Sequence, residues 1–372
     1  MILIAKQVKD QCLVVANQAS KHEKYICPNC QEIVTLRQGT IKISHFAHQK
    51  DSNCTKLSEN ESRAHLLGKL FIYQSYVKLD SHIALEVVFK DIEQRADVCL
   101  PQCNLIIEYQ CSPIKFDKLL KRTKGYQKMG YTVLWLLGDP YVRQKINKHL
   151  LAKFAHFSEK LGIYLMYYET TSRKLYLRYN IIEKNSKLIY QEKRFLNINA
   201  FYQFKQSMHI HEYLNSPMEI NQYLINLQRK IISGSATYLK IVELCYQHGY
   251  IVVGCPMVCH DNKGSFPLFK TTNLEWKIWL ILKIFNGKQL IWSKEQLNAL
   301  FRQLMVNFNC QFIQIDNYTR LTQLLVLDFW DDLIRNKYII RINEGYKIIN
   351  FPRWYADLNI KQKTLLSKNK II

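Results

Sequence analysis

The chain is short of acids. Thirty Asp and Glu stand against 52 Lys and Arg over 372 residues, a formal net charge of +22. An excess of that size, spread along the whole chain, suits a protein that meets polyanions over a broad surface, nucleic acid first, with an anionic membrane surface as the alternative. Long apolar runs are missing too. A membrane-crossing helix needs about twenty consecutive apolar residues, and the best candidate, Trp276 to Phe285, is interrupted by Lys277 and Lys283; no membrane insertion is expected. The first residues, M-I-L-I-A-K-Q, reach a lysine at position 6, too soon for the apolar stretch of a secretory signal, which predicts a cytoplasmic protein. There is no repeat and no low-complexity tract, so solenoids and disordered tails are set aside. A 48% hydrophobic and 12% aromatic composition instead indicates core-forming sequence, long enough for two or three domains.

In a reducing compartment the eleven cysteines are thiols, and clustered ones read as metal ligands rather than disulfides. Cys27-Pro28-Asn29-Cys30 is followed by His45-Phe46-Ala47-His48 and then by Cys54. A C-x-x-C turn aims two thiolates at one tetrahedral ion, and a second pair of donors a few strands later completes the set. The spacing predicts a small zinc-ribbon-like module over residues 1–57. Its structural Zn²⁺ would be held by Cys27, Cys30, His48 and Cys54, with His45 as the alternative histidine, because a module of that size builds little core of its own.

The stretch Glu93 to Ser112 carries the second constellation. It reads as strands Gln94 to Leu100 and Asn104 to Gln110 around a turn at Pro101, Gln102 and Cys103. Asp97 lies in the first strand. Glu108 and Gln110 share one face of the second by the period-2 geometry of a strand. A carboxylate inside N-L-I-I-E-Y is costly to desolvate unless it is paired or bound to a cation, and hard ions such as Mg²⁺ or Mn²⁺ take oxygen ligands of this kind. Upstream lie a helix from about Asn60 to Leu79, with Ser58 placed to cap it and Glu61 at its third position, and a strand from Ile83 to Phe89. Glu61, His65 and Lys69 recur at helical spacing. Downstream, an amphipathic helix Lys115 to Met129 leads to a strand Tyr131 to Leu137. Its Lys118, Lys121, Arg122 and Lys124 are candidates for sequence-independent contact with a DNA backbone.

The order α, β, β, β, α, β, with an acid in the second strand and E-x-Q in the third, resembles the core of the PD-(D/E)xK nucleases, with Gln110 where a lysine is usual. E-S-R-A-H-L-L-G-K (Glu61 to Lys69), R-A-D-V (Arg95 to Val98), I-E-Y-Q-C-S (Ile107 to Ser112) and the N-terminal C-P-N-C with S-H-F-A-H resemble the competence protein CoiA family. That resemblance implies an α/β (α+β) nuclease domain over 58–160 in a protein of DNA recombination during natural transformation. Its Mg²⁺ would be bound by Asp97 and Glu108 and completed by Glu61. Gln110 would orient water or phosphate, since a neutral amide is no base. Single-stranded or branched DNA and recombination proteins are the implied partners. The alternative is a non-catalytic DNA-binding mediator that keeps a nuclease-like fold.

Beyond residue 160 the signals thin. A helix from Tyr141 to Glu159, strands Ile163 to Tyr168 and Lys174 to Ile182, and helices Ile220 to Ile232 and Ser235 to Gln247 are expected. C-P-M-V-C-H, with Cys255, Cys259 and His260, ranks below the N-terminal cluster as a metal site. Over 274–349, within a mostly helical region 161–372, three helices and a hairpin turning at Asn343 to Gly345 give a winged-helix-like order.

Overall fold

A computed structural model describes residues 2–39, 43–49, 54, 62–208, 214–260 and 263–367. The chain forms two compact units, residues 1–179 with 192–208 and residues 180–191 with 209–372.

The first unit opens with five short strands, β1 (Ile4–Gln7), β2 (Leu13–Val15), β3 (Tyr25–Ile26), β4 (Ile33–Arg37) and β5 (His45–His48), in the order β2-β1-β3-β4-β5. Their interior is small, built on residues such as Ala5, Tyr25, Val34 and Phe46. Such a module lacks the apolar area to hold itself together unaided. There follow α1 (Arg63–Tyr76), β6 (Ala84–Phe89), β7 (Gln94–Leu100), β8 (Leu105–Gln110), α2 (Phe116–Lys128) and β9 (Thr132–Leu137), the α, β, β, β, α, β order read from the sequence. β6, β7 and β8 are antiparallel neighbours, and β8 pairs parallel with β9 from Leu105↔Thr132 to Gln110↔Leu137. α2 makes the crossover that a parallel pair requires.

Three expectations are corrected. α1 begins at Arg63, where the Ser62 hydroxyl accepts from the His65 amide; the expected cap Ser58 and the candidate ligand Glu61 lie outside the described residues. No single helix covers 141–159. Asp139–Val142 (α3) is followed by Lys148–Phe154 (α4), because the Asn147 side chain captures the Leu150 amide and starts a new helix. The extended backbone at Ala155 then releases the chain into β10 (His156–Ser158). Nor does the sheet stop near residue 160. β11 (Gly162–Glu169) pairs with β10 and, at Tyr167↔Leu137, with β9. β12 (Lys174–Lys184) and β13 (Lys187–Phe195) extend the sheet to eight strands, and α5 (Ile198–Ser207) closes the unit.

The side chains alternate as the pleat requires. Ile107 and Tyr109 of β8 join the cluster that contains Leu66 and Ile72 of α1, while Glu108 meets α2. α1 approaches the sheet closely enough that a Cβ on the buried Gly68 would fall inside the Tyr109 ring. The ring is fixed by its hydroxyl, which donates to the Tyr168 carbonyl at 3.0 Å. Gly68→Ala gains about 1 kcal/mol of helix propensity, but overpacking costs about 1–3 kcal/mol. A net loss of thermal stability is expected in a calorimetric scan, and recovery in Gly68→Ala with Tyr109→Leu.

In the second unit, α6 (Pro217–Ile232) starts in a capping box between Ser216 and Glu219, and α7 (Leu239–Gln247) follows. The helices α8 (Asn273–Phe285), α9 (Lys294–Phe308) and α10 (Tyr318–Arg335) and the hairpin β15 (Ile339–Ile342) and β16 (Gly345–Ile348) occupy the stretch where three helices and a hairpin were anticipated. A short strand the sequence did not reveal, β14 (Ile291–Ser293), completes a sheet ordered β14-β16-β15. α11 (Leu358–Ser367) is the last described helix.

Candidate functional site

The sheet is irregular where the acids sit. β7 and β8 pair as far as Val98↔Ile107 and then part. One step further the Tyr109 amide donates to Asp97 Oδ2 at 2.9 Å, so a side chain satisfies a backbone donor that a continuous ladder would have used. On the other side of β7, pairing with β6 skips Glu86, whose φ is +53°. That left-handed conformation is strained for a residue other than glycine and persists only where its surroundings hold it. Here they do: Glu86 Oε2 accepts from the Leu3 amide at 2.8 Å, and Lys69 Nζ lies 2.5 Å from Oε1.

Glu86, Asp97 and Glu108 are all buried, and each has a basic partner. Lys69, fully buried on α1, pairs with Glu86 and stands 4.0 Å from Asp97 Oδ1. His65, one turn earlier, is 3.1 Å from Asp97 Oδ2. Glu108, 2% exposed, receives the Arg122 guanidinium at 2.6 Å on Oε2 and the Tyr126 hydroxyl at 2.7 Å on Oε1. Burial of this degree requires such compensation. Burial alone would raise Asp97, but His65 and Lys69 outweigh it and hold the carboxyl well below its usual range. For Glu86 likewise, Lys69 and then Arg95 overcome burial. Glu108 goes the other way: burial, with the Asp97 charge nearby, lifts it despite Arg122.

The sequence-derived residues are thus divided. Asp97 and Glu108 lie on neighbouring strands with their carboxylates on separate partners. Gln110, 9% exposed, donates its amide to the Ser112 carbonyl at 2.5 Å. On α2, Lys118, Lys121 and Lys124 are exposed. Arg122 is not one of that row. It turns inward to Glu108 and to the Arg95 carbonyl, because a desolvated carboxylate beneath the helix demands a cation. The sequence reading missed Glu86 altogether and noted His65 and Lys69 only for their helical spacing with Glu61. The signal was a glutamate inside the apolar run A-L-E-V-V-F, which poses the same desolvation problem as Glu108.

The N-terminal cluster assembles as its spacing implied. One donor atom from each of Cys27, Cys30, His48 and Cys54 lies within 4.8 Å of all the others, and Cys30 Sγ is 3.4 Å from His48 Nε2. Three thiols and an imidazole at these separations fit a tetrahedral zinc-type ion. Burial, together with the adjoining Cys30 and Cys27 thiols, pushes the Cys54 thiol up to about 12, a crowding that a bound cation relieves. The alternative histidine, His45, is outside the group, with Nδ1 2.7 Å from the Ile43 carbonyl. Cys255, Cys259 and His260 are buried around an ammonium instead: Lys361 Nζ lies 3.5 Å from Cys255 Sγ and 2.6 Å from His260 Nε2. Among the described residues only the N-terminal group brings three or more such ligand atoms together at metal-binding distance.

Both constellations fall in stretches that match known families. Residues 10–56 match the family model for the competence protein CoiA N-terminal domain, and residues 61–212 match that for the competence protein CoiA nuclease-like domain. The chain is 34% identical over 124 residues to the competence protein CoiA of Bacillus subtilis (strain 168), a match covering 33% of this chain and 33% of that relative. No solved structure matches. No helix among the described residues is long and apolar enough to cross a membrane.

Proposed function

The chain belongs to the competence protein CoiA family, and from that premise we propose that it is a divalent-metal-dependent DNA nuclease acting on DNA taken up in natural transformation. The observation that carries this reading is the parting of β7 and β8, which puts Asp97 in the gap between two strands with Glu108 on the next strand and the amine of Lys69 4.0 Å away. Gln110 cannot act as a base. Lys69, fully buried and paired with Glu86, acts in this reading by keeping Asp97 ionised rather than by meeting the phosphate.

The oxygen donors have the right chemistry for Mg²⁺ or Mn²⁺. Asp97 has Oδ2 engaged by the Tyr109 amide and His65 and would offer Oδ1, which faces Lys69 at 4.0 Å; Glu108 would join it once Arg122 has left. Asp97 and Glu108 would hold the ion, which when bound supplies charge neutralisation and an activated water. Arg122 is the residue whose partner changes in this reading: an arriving phosphate, a better bidentate partner than a carboxylate already shared with Tyr126, draws the guanidinium away and uncovers Glu108. The exposed Lys118, Lys121 and Lys124 guide the backbone of the substrate.

A second reading, a DNA-binding recombination mediator without cleavage, is favoured by one specific observation: both Glu108 oxygens already have donors. The separating experiment incubates zinc-replete protein with single-stranded, duplex and branched DNA in Mg²⁺ or Mn²⁺. The nuclease reading expects cleavage that falls at least about 100-fold, roughly 2.7 kcal/mol of barrier, in Asp97→Asn with DNA affinity retained. Binding without cleavage by the wild type on every substrate establishes the mediator.

A further inference from the structure

The second unit contains an arrangement that the nuclease reading does not use. α8 is buried on nearly every side, and three aromatic pairs arrange its neighbours. Trp276 meets Phe329 of α10 at 5.4 Å, Trp279 meets Phe308 of α9 at 5.7 Å, and Trp330 of α10 meets Tyr346 of β16 at 5.4 Å. β14, between α8 and α9, pairs with β16 from Ile291↔Lys347 to Ser293↔Gly345, and β16 pairs with β15. Helix, strand, helix, helix, hairpin, with the first strand closing on the last, is winged-helix topology.

The side chains decide what such a module meets. α10 buries Leu321, Leu325, Phe329 and Leu333, which turns the opposite stripe outward. Its first half exposes Thr319, Arg320 and Gln323, after an exposed Asn317 at the cap. These are the residue types whose donors and acceptors match base edges in a major groove, at the end of a recognition helix that enters it. The acids within α10, Asp328, Asp331 and Asp332, which would repel phosphate, come later, while an exposed Asp316 stands just before the cap. Asp332 is paired with Arg335 at 2.5 Å and Asp328 with Lys263 at 3.6 Å. The hairpin turn is flanked by exposed Arg341 and Lys347.

We infer that residues 273–348 are a second, duplex-DNA-binding module, with the first half of α10 in the major groove and the β15–β16 turn on the sugar–phosphate backbone. Duplex binding is measured without cleavage, so the module stands or falls apart from the nuclease reading. The test uses the full-length, zinc-replete protein with no added divalent metal and short labelled duplexes, titrated by anisotropy across a salt series. Arg320→Ala with Gln323→Ala is expected to weaken duplex binding about tenfold or more and to flatten sequence preference. Arg341→Ala with Lys347→Ala is expected to weaken all sequences alike and to lower the salt slope by about two, one for each phosphate no longer neutralised. All four side chains are exposed, so unchanged melting temperatures are expected and separate binding from folding. Unaltered affinity and slope in both pairs would overturn the proposal. So would a change of self-association in Leu324→Ser with Leu327→Ser, both about half exposed on the same helix, if duplex affinity stayed intact in the arginine variants; that outcome assigns the face to protein contact.

Discussion

Removing zinc from the N-terminal module is expected to unfold residues 2–48 while the eight-stranded sheet stays folded. Structural zinc contributes about 10–16 kcal/mol of binding free energy in small modules. The five strands here have little to set against its loss, because their interior is short of large apolar side chains and three of the buried or partly buried members, Cys27, Cys30 and Cys54, are themselves candidate ligands. Native-state hydrogen exchange should show protection vanish over β1 to β5 on chelation and persist in β7, β8 and β9. Metal analysis should give one zinc per chain for wild type and for His45→Ala, and near none for Cys27→Ser or Cys54→Ser. Two zinc ions per chain would mean that Cys255, Cys259 and His260 take one after expelling Lys361. Retained exchange protection after complete zinc loss would show that the module is held by its packing on the sheet instead.

Why this module was legible in the sequence and the acid site only partly so is a matter of range. C-P-N-C fixes two ligands through a local turn, and one strand carries His48 to them, so spacing nearly determines geometry. Of the two histidines the structure brings His48 beside the cysteines and turns His45 to the Ile43 carbonyl, a difference that follows from the pleat of β5. The strands β7 and β8 were equally local, and their bounds fell within a residue of those expected. The pairing of each acid was not local. Arg122 is fourteen residues from Glu108, and Lys69 seventeen from Glu86. At those separations an amphipathic pattern says that a face is basic without saying which cation turns under it. Arg122 was placed with its exposed neighbours for that reason. The apolar run around Glu86 marked it as a buried carboxylate, but its left-handed backbone and the partners that hold it leave no mark on the sequence when the residue is not glycine. The break between α3 and α4 rested on one asparagine cap in an otherwise helical pattern.

The same long-range pairing sets up the largest effect expected from a single substitution. Lys69→Met leaves Glu86, 5% exposed, without its cation, and an uncompensated buried charge costs about 3–5 kcal/mol. Glu86→Gln takes the nearer carboxylate from Lys69, leaving Asp97 at 4.0 Å, and also weakens the bond from the Leu3 amide, so a comparable loss is expected, with faster proteolysis near the N-terminus. The double variant removes both charges together and should lie closer to wild type than the sum of the two, a coupling of at least about 2 kcal/mol in denaturant titrations. Additive losses would mean that the pair is not an energetic unit. Acid offers an independent reading of the same network. Glu86 and Asp97 are held below their unfolded values, so their contribution is complete above the ordinary carboxylate range near pH 4 and is lost as pH falls through the folded values. Glu108, raised by burial, contributes with the opposite sign and offsets part of that loss. Wild type should therefore lose stability steeply below about pH 4. The Lys69→Met with Glu86→Gln variant should lose less over that window, because one of the two depressed carboxylates is gone and Asp97, without Lys69 nearby, titrates closer to its unfolded value.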